Sequence, residues 1–443
     1  MADHQSNDVH STPTDQTVDA IIAELLAASA RFQKAVHEIP TKGNQIAAIT
    51  DPADRAIIAQ AAETTRILVP HRAVALMDAF LTRKRSCGMP VEQRLYATMD
   101  WRALAQRLVK CRPLVFYLAS DNALTRDNVS LHGNAIWKSI QNRPPKLPLA
   151  EYLSYDEMAI SALVAVSTPT LFINDGSRGN VGRKGRSGTF ERFGIYVAVV
   201  GARFEVDDEM EARFMLGTIG HPPPPSDSLE PEWLTFYGAD KTDRELIPLY
   251  PNPMLDATRV LDAVRYRRRM RPTFDLILAE CASRSAEYRQ PAYLRLLGLG
   301  LGAWAVHKAK QTALFVDEFL AAITASPCTA NQLRCVDLIR IDLSLLDFAL
   351  PETITTRGGA QVELRASRDN PAALLPEPYR GKCLLVATYP WDANAFPGNE
   401  YWLGALAASG DPAAACCSLI PELQNPYINS GLLDRIVVHG HDE

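Results

Sequence analysis

Leu384–Leu419 reads LLVATYPWDANAFPGNEYWLGALAASGDPAAACCSL. An apolar run ends near Thr388, and the loop after it carries Asp392, Asn394, Gly398 and Glu400. A short apolar run bounded by turn residues suits a buried strand. Pro397-Gly398 forces a turn, and Asn399-Glu400 opens a helix over EYWLGALAAS. Gly410-Asp411-Pro412 then reads as a helix stop, an N-cap and a proline in the first turn of the next helix. Open α/β sheets bind ligands in the crevice at the carboxyl ends of their strands. Acids, an amide and a glycine at such an exit are what a nucleotide-sugar site needs.

Working outward, strands and helices alternate from Pro113 onward. PLVFYLAS is a short strand, YDEMAISALVAVS a helix and PTLFIND a strand. GIYVAVVGARF is a strong strand, FDLILAEC a strand-like run, and YLRLL a strand that enters a glycine-rich turn. KAKQTALFVDEFLAAI is a helix, LRCVDLIRIDL a strand, 351–380 an excursion, and LDRIVVH a final strand. This pattern predicts an α/β fold with a mixed sheet flanked by helices. Residues 17–112 have apolar residues at helical spacing, broken near Pro70, and read as an N-terminal helical subdomain. The division is a disordered polar tail over 1–16, the helical part over 17–112 and the α/β domain over 113–443. Asn142–Pro148 reads as a proline-rich link and His221–Asp227 as a rigid loop.

The 443 residues are 47% hydrophobic and 22% charged, a globular composition, with a net charge of −5. No apolar run approaches the roughly 20 residues needed to cross a bilayer. The N-terminus lacks the build of a signal peptide. The acidic balance argues against a general nucleic-acid binder. Basic clusters at Arg83–Arg85 and Arg265–Arg271 read as solvated helix faces. The eight cysteines are scattered, with no CxxC and no zinc spacing. They read as free thiols in a reducing compartment, hence a cytoplasmic location, with signal-less secretion left open. No metal motif is visible, and no cofactor is expected.

Three groups of residues could carry chemistry. Gly298, Gly300 and Gly302 follow a strand and precede Trp304 and a helix, a spacing that lets backbone approach a diphosphate. Asp392 and Glu400 could share one cavity as a carboxylate pair suited to glycosidic cleavage. Asn394 suits ribose hydroxyls or an adenine edge. Asp411 reads first as a cap, with a catalytic role also open to it. The Gly/Arg segment Asp175–Thr189 reads as a surface loop, and His132, His307 and His439 are isolated.

YLRLLGLGLGAWAV with its helix resembles the second phosphate loop of macrodomains, and LLVATYPWDANAFPGNEYW resembles the strand and first loop of the same fold. The ribose loop comes last in this chain. That order is similar to circularly permuted, macrodomain-like ADP-ribosylhydrolases, a family that includes a Legionella effector acting on ADP-ribosylated ubiquitin. The resemblance implies that Asp392, Glu400 and Asp411 surround the distal ribose as catalytic acids. It also implies that Asn394 and Gly398 contact that ribose. Gly298, Gly300 and Gly302 would cradle the diphosphate, with Trp304 packing nearby. The GGG…QEE signature of poly(ADP-ribose) glycohydrolases is missing, which favours removal of single ADP-ribose units. The expected function is hydrolysis of mono-ADP-ribose from protein side chains, with arginine one candidate linkage and the linked amino acid left open by the sequence. The expected partners are ADP-ribose and an ADP-ribosylated protein such as ubiquitin, with no membrane and no nucleic acid. The rivals are a non-catalytic ADP-ribose reader and an interaction protein acting through its N-terminal helices.

Overall fold

Strand β14 (Leu384–Pro390) is buried along nearly its whole length, because it lies inside a sheet covered on both faces. The computed structural model describes residues 15–35, 37–117, 120–133, 137, 148–204, 209–218, 229–238, 244–249 and 259–440. Residues 1–14 of the expected tail, 142–147 of the proline-rich link and the loop 221–227 lie outside the described residues. In chain order the other strands are β1 (Arg66–Pro70), β2 (Val115–Tyr117), β3 (Asn122–Leu124), β4 (Ser130–Leu131), β5 (Ala165–Leu171) and β6 (Phe193–Val199). They continue with β7 (Leu216–Thr218), β8 (Leu246–Pro248), β9 (Arg259–Asp262), β10 (Ala292–Leu297) and β11 (Leu333–Ile339). The last are β12 (Thr353–Thr355), β13 (Gln361–Ser367) and β15 (Ile436–His439).

Nine strands form one sheet in the order β12-β13-β11-β10-β14-β6-β5-β1-β15. β13, β11, β10, β14 and β6 run parallel, so their carboxyl ends share one edge. β5 and β12 run against their neighbours and make the sheet mixed. β2-β3-β4 and β7-β9-β8 form two small antiparallel sheets.

Side-chain alternation along β5 separates the two faces, since neighbouring residues on a strand point opposite ways. Ser167 accepts from Arg284 of the long helix Ala263–Tyr288. Thr168 and Thr170 instead meet Gln424 and the Leu419 N–H. The long helix therefore covers one face, and the C-terminal segment covers the other. On that second face Tyr196 packs edge-on against Tyr389, with ring centroids 4.9 Å apart.

Several sequence readings need correction. FDLILAEC is the middle of the helix Ala263–Tyr288, not a strand. Phe274, Leu276, Ile277, Leu278 and Cys281 are all buried there, and a helix buried on most sides shows no polar alternation to reveal its period. β5 begins at Ala165, so the helix read across YDEMAISALVAVS stops at Ser161. The segment 17–112 contributes β1 between β5 and β15 as well as helices. Its first helix (Asp15–Ala35) packs against the site loop, with Phe32 against Trp402 and Phe396. Arg269, read as part of a solvated face, is fully buried, pairs with Glu211 and donates to the Val200 carbonyl at 3.2 Å.

Candidate active site

The sheet's parallel core sets the site. β10 pairs in parallel with β14 from Ala292↔Leu384 to Arg295↔Ala387, so the turn after β10 and the loop after β14 leave the sheet at the same edge. The exit loops of β6 and β10 meet over the end of β14. A Cβ on Gly201 would lie 2.3 Å from the Gly300 nitrogen, and one on Gly300 would lie 2.6 Å from the Ala202 carbonyl. Gly300 also has φ +72, a region that favours glycine. The glycine turn and the acid loop therefore occupy one edge of the sheet.

The three glycines are unequal. Gly298 faces the Leu301 side chain, and Gly300 interlocks with the β6 exit. Gly302 is exposed, and a Cβ there would meet nothing. Trp304 is half-buried beyond them, and the Arg203 guanidinium sits over its ring at 5.5 Å. The helix Lys308–Ala325 follows, with His307 as its N-cap, so that histidine is structural.

The acid loop is buried from Trp391 to Asn399. Asp392 accepts the Asn394 N–H at 2.8 Å and the Asn399 side-chain amide at 3.1 Å. Asn399 also exchanges two hydrogen bonds with the Phe116 backbone, tying the loop to β2. The Asn394 side-chain amide lies 3.3 Å from the Met210 sulfur. Gly398 has φ +81, and a Cβ there would strike Ala415. Its N–H donates to Asp411 at 2.7 Å. Gly398 thus shapes the loop and presents its donor to an acid.

Asp411 is not the N-cap that its sequence suggested. Ser409 holds that position in the helix Gly410–Cys417, and Asp411 sits in the first turn with its carboxylate turned to the acid loop. The expected helix over EYWLGALAAS is only a 3-10 turn, Asn399–Leu403, stopped by Gly404 at φ +76. That short turn keeps Glu400 beside the entrance of the Gly410–Cys417 helix, where Ser409 donates to it at 3.2 Å. Burial pushes the Asp411 carboxyl well above its ordinary range, and the nearby Glu400 and Asp392 charges add to the rise. The Gly398 and Asn399 N–H groups oppose it. One oxygen of Asp411 is buried and has no hydrogen-bond partner among the described residues. The thiols of Cys416 and Cys417, on the same helix, are pushed up to about 12 by burial and are not nucleophiles at neutral pH.

Sequence reasoning missed the frame around these groups. Arg203 donates to Asp121 at 3.1 Å, and Tyr155 donates to the other oxygen of Asp121 at 2.6 Å. The Arg203 guanidinium also lies over the Phe116 ring. Trp304, Arg203, Phe116, Asn399 and Asp392 thus form one chain of contacts from the glycine turn to the acid loop. Arg112 lies over Trp391 at 4.1 Å and reaches the Ala395 carbonyl at 3.4 Å. These residues come from distant parts of the chain and carry no local motif. Among the described residues no group of three or more His, Cys, Asp or Glu is arranged to hold a metal ion.

Fold and site together give an α/β protein with a cluster of carboxylates beyond the end of a parallel strand. A family model described as ADP-ribosylhydrolase MavL-like matches residues 24–222 and 223–439. The chain belongs to the MavL-like ADP-ribosylhydrolases and is a hydrolase that removes ADP-ribose. It is 33% identical over 404 residues to ADP-ribosylarginine hydrolase CG3568 of Drosophila melanogaster, covering 84% of this chain and 77% of that protein. ADP-ribosylarginine hydrolase CG2909 of the same organism is 29% identical over 399 residues, covering 82% and 76%.

Proposed function

We propose that the chain hydrolyses the N-glycosidic bond between the distal ribose anomeric carbon and an arginine side chain, releasing ADP-ribose and unmodified protein. The observation that carries this reading is the buried, unpartnered oxygen of Asp411 among two further acids. A carboxyl kept protonated by burial is a proton donor at neutral pH. Asp411 delivers a proton to the departing guanidine nitrogen as the C–N bond breaks. The Asp392 carboxylate stabilises the oxocarbenium-like carbon and takes a proton from the attacking water as the C–O bond forms. Glu400, at the rim, holds a ribose hydroxyl and keeps Asp411 protonated through its charge. Gly302 and the end of the helix Lys308–Ala325 receive the diphosphate, and Trp304 packs beside it.

The arginine linkage is favoured by the names of the two Drosophila relatives. We extend the reading to a circularly permuted macrodomain-like fold, a reducing cytoplasmic setting and ubiquitin as one candidate substrate. The segment 17–112 serves in it as a brace behind the acid loop, through Phe32 and through Ser29, which donates to Glu422 at 2.5 Å. The test is incubation with arginine-, serine- and glutamate-linked mono-ADP-ribosyl proteins, ADP-ribosylated ubiquitin among them. Loss of label from the arginine-linked substrates alone is expected. Loss from the serine or glutamate linkage alone contradicts the reading. Tight ADP-ribose binding with no release from any substrate would make the protein a reader.

A further inference from the structure

Among the described residues four arginines are fully buried: Arg112, Arg269, Arg284 and Arg295. Three of them hold a carboxylate directly: Arg269 with Glu211, Arg284 with Glu280 and Arg295 with Asp369. Arg112 makes no such pair among the described residues. Its Nε donates to the Leu108 carbonyl and its Nη1 to Ala395, while Nη2 is buried without a partner. A buried guanidinium without a direct counter-ion is costly, and keeping one there requires a return elsewhere. The charge that acts on it is the Asp392 carboxylate. Burial pushes Arg112 down to about 9, with Asp392 pulling the other way, so Arg112 stays a cation at neutral pH.

We propose that Arg112 is a positioning residue that keeps Asp392 ionised while Asp411, on the helix that packs against the same loop, stays neutral. This inference rests on the hydrolase reading above, in which Asp392 must be the proton acceptor. The geometry assigns the two roles. Arg112 stacks on Trp391, immediately before Asp392, and holds the Ala395 carbonyl just after it. Its cation is therefore fixed over the short turn that carries Asp392. The other charged and titratable groups near this turn are Glu400 from the 3-10 turn, Asp411 from the Gly410–Cys417 helix, Tyr389 from β14 and Cys111 beside Arg112. Arg112 is the cation stacked on this turn; Arg203, the next one outward, is paired with Asp121 and reaches the loop through Phe116 and Met210. Without it, three acids would share one crowded edge and the proton would have no fixed home. With it, the charge settles on Asp392 and the proton on Asp411.

The test compares the parent enzyme with Arg112→Gln and Arg112→Lys on an arginine-linked substrate across pH. In Arg112→Gln the acidic limb of kcat/KM is expected to move upward by about one pH unit or more. In Arg112→Lys, which retains the cation, the limb stays near that of the parent. A residue that only braces the loop would lower the rate by the same factor at every pH, and that result overturns the proposal. A change confined to KM or to ADP-ribose affinity would make Arg112 a ligand contact and overturns it equally. A second readout needs neither turnover nor the Gln variant. Carboxyl-carbon NMR of the unliganded parent, assigned with Asp392→Asn and Asp411→Asn, should show Asp392 ionised at pH 6 and Asp411 still neutral. An Asp392 signal that is neutral at pH 6 overturns the inference. An inactive parent with the expected NMR titration would count against the hydrolase reading and leave the charge assignment standing.

Discussion

Glu280 and Asp411 are both buried carboxyls packed on the nine-stranded sheet, and they are held in opposite states. Glu280 receives Arg66 at 2.7 Å, Arg284 at 2.7 Å and His439 at 2.9 Å. Burial alone would raise its proton affinity, but these contacts outweigh burial and hold it well below the usual carboxylate range. Among the described residues no cation pairs with Asp411. Burial and its two acid neighbours push it well above that range. The first arrangement ties β1, β15 and the long helix together with full pairing. The second leaves an oxygen without a partner among the described residues and favours the protonated form. A structural acid is neutralised by its neighbours, whereas the proposed catalytic role of Asp411 calls for an acid left reactive at a cost in stability.

The sharpest way to break this comparison is Glu280→Gln. It leaves Arg66 and Arg284 buried without their counter-charge, and should lose about 3–5 kcal/mol of unfolding free energy at pH 7. The loss is read from urea unfolding. The sign with pH follows from the lowered value. Glu280 stabilises the fold above its unfolded value of 4.5, and this contribution disappears as pH falls through the folded value. The parent and Glu280→Gln should therefore converge in stability as the solution is acidified. A constant gap down to pH 3 would contradict the assignment.

Gly300→Ala tests whether the site edge is as tightly specified as the structural cluster. The new Cβ must displace the Ala202 carbonyl at a positive φ, so a loss of about 1–3 kcal/mol is expected. Asp411→Asn has the opposite sign. The raised carboxyl penalises folding as pH climbs above its unfolded value of 3.8, until the folded value is passed. An asparagine oxygen can still accept the Gly398 N–H. Stability at pH 7 should rise by about 0.5–2 kcal/mol, while release of ADP-ribose falls. A destabilised Asp411→Asn would make Asp411 a structural acid like Glu280. Gly302→Ala should change stability by under about 0.5 kcal/mol, because its Cβ would meet open space. Any effect it has should appear in ADP-ribose affinity by calorimetry.

The strands that frame the site were readable because their apolar runs end in turn residues. β10 and the helix after Gly302 lie where YLRLL and KAKQTALFVDEFLAAI place them, while β14 runs two residues past Thr388 and β11 stops at Ile339, short of the end of LRCVDLIRIDL. The run FDLILAEC was unreadable for a physical reason. A helix buried on most sides and a buried strand have the same local composition. Asp411 looked like a cap because Asp-Pro is a capping pattern, and only the fold shows its carboxylate turned toward Gly398. The cations were beyond reach. Arg112 and Arg203 meet the acid loop and Trp304 across long stretches of chain, and nothing in their own neighbourhoods announces it. Gly201 was passed over as part of a strand, yet its lack of a side chain is what lets the β6 and β10 exits touch.

Single-turnover release of ADP-ribose by Asp392→Asn, with ADP-ribose affinity measured on the same preparation, tests the central claim most directly. The asparagine oxygen can still accept the Asn394 N–H, but its NH2 faces the Asn399 amide donor, so the affinity measurement is what shows that the loop holds and ADP-ribose still binds. The account predicts that release from an arginine-linked substrate falls by about 10²–10³-fold or more. Release at the parent rate, with binding intact, would contradict it.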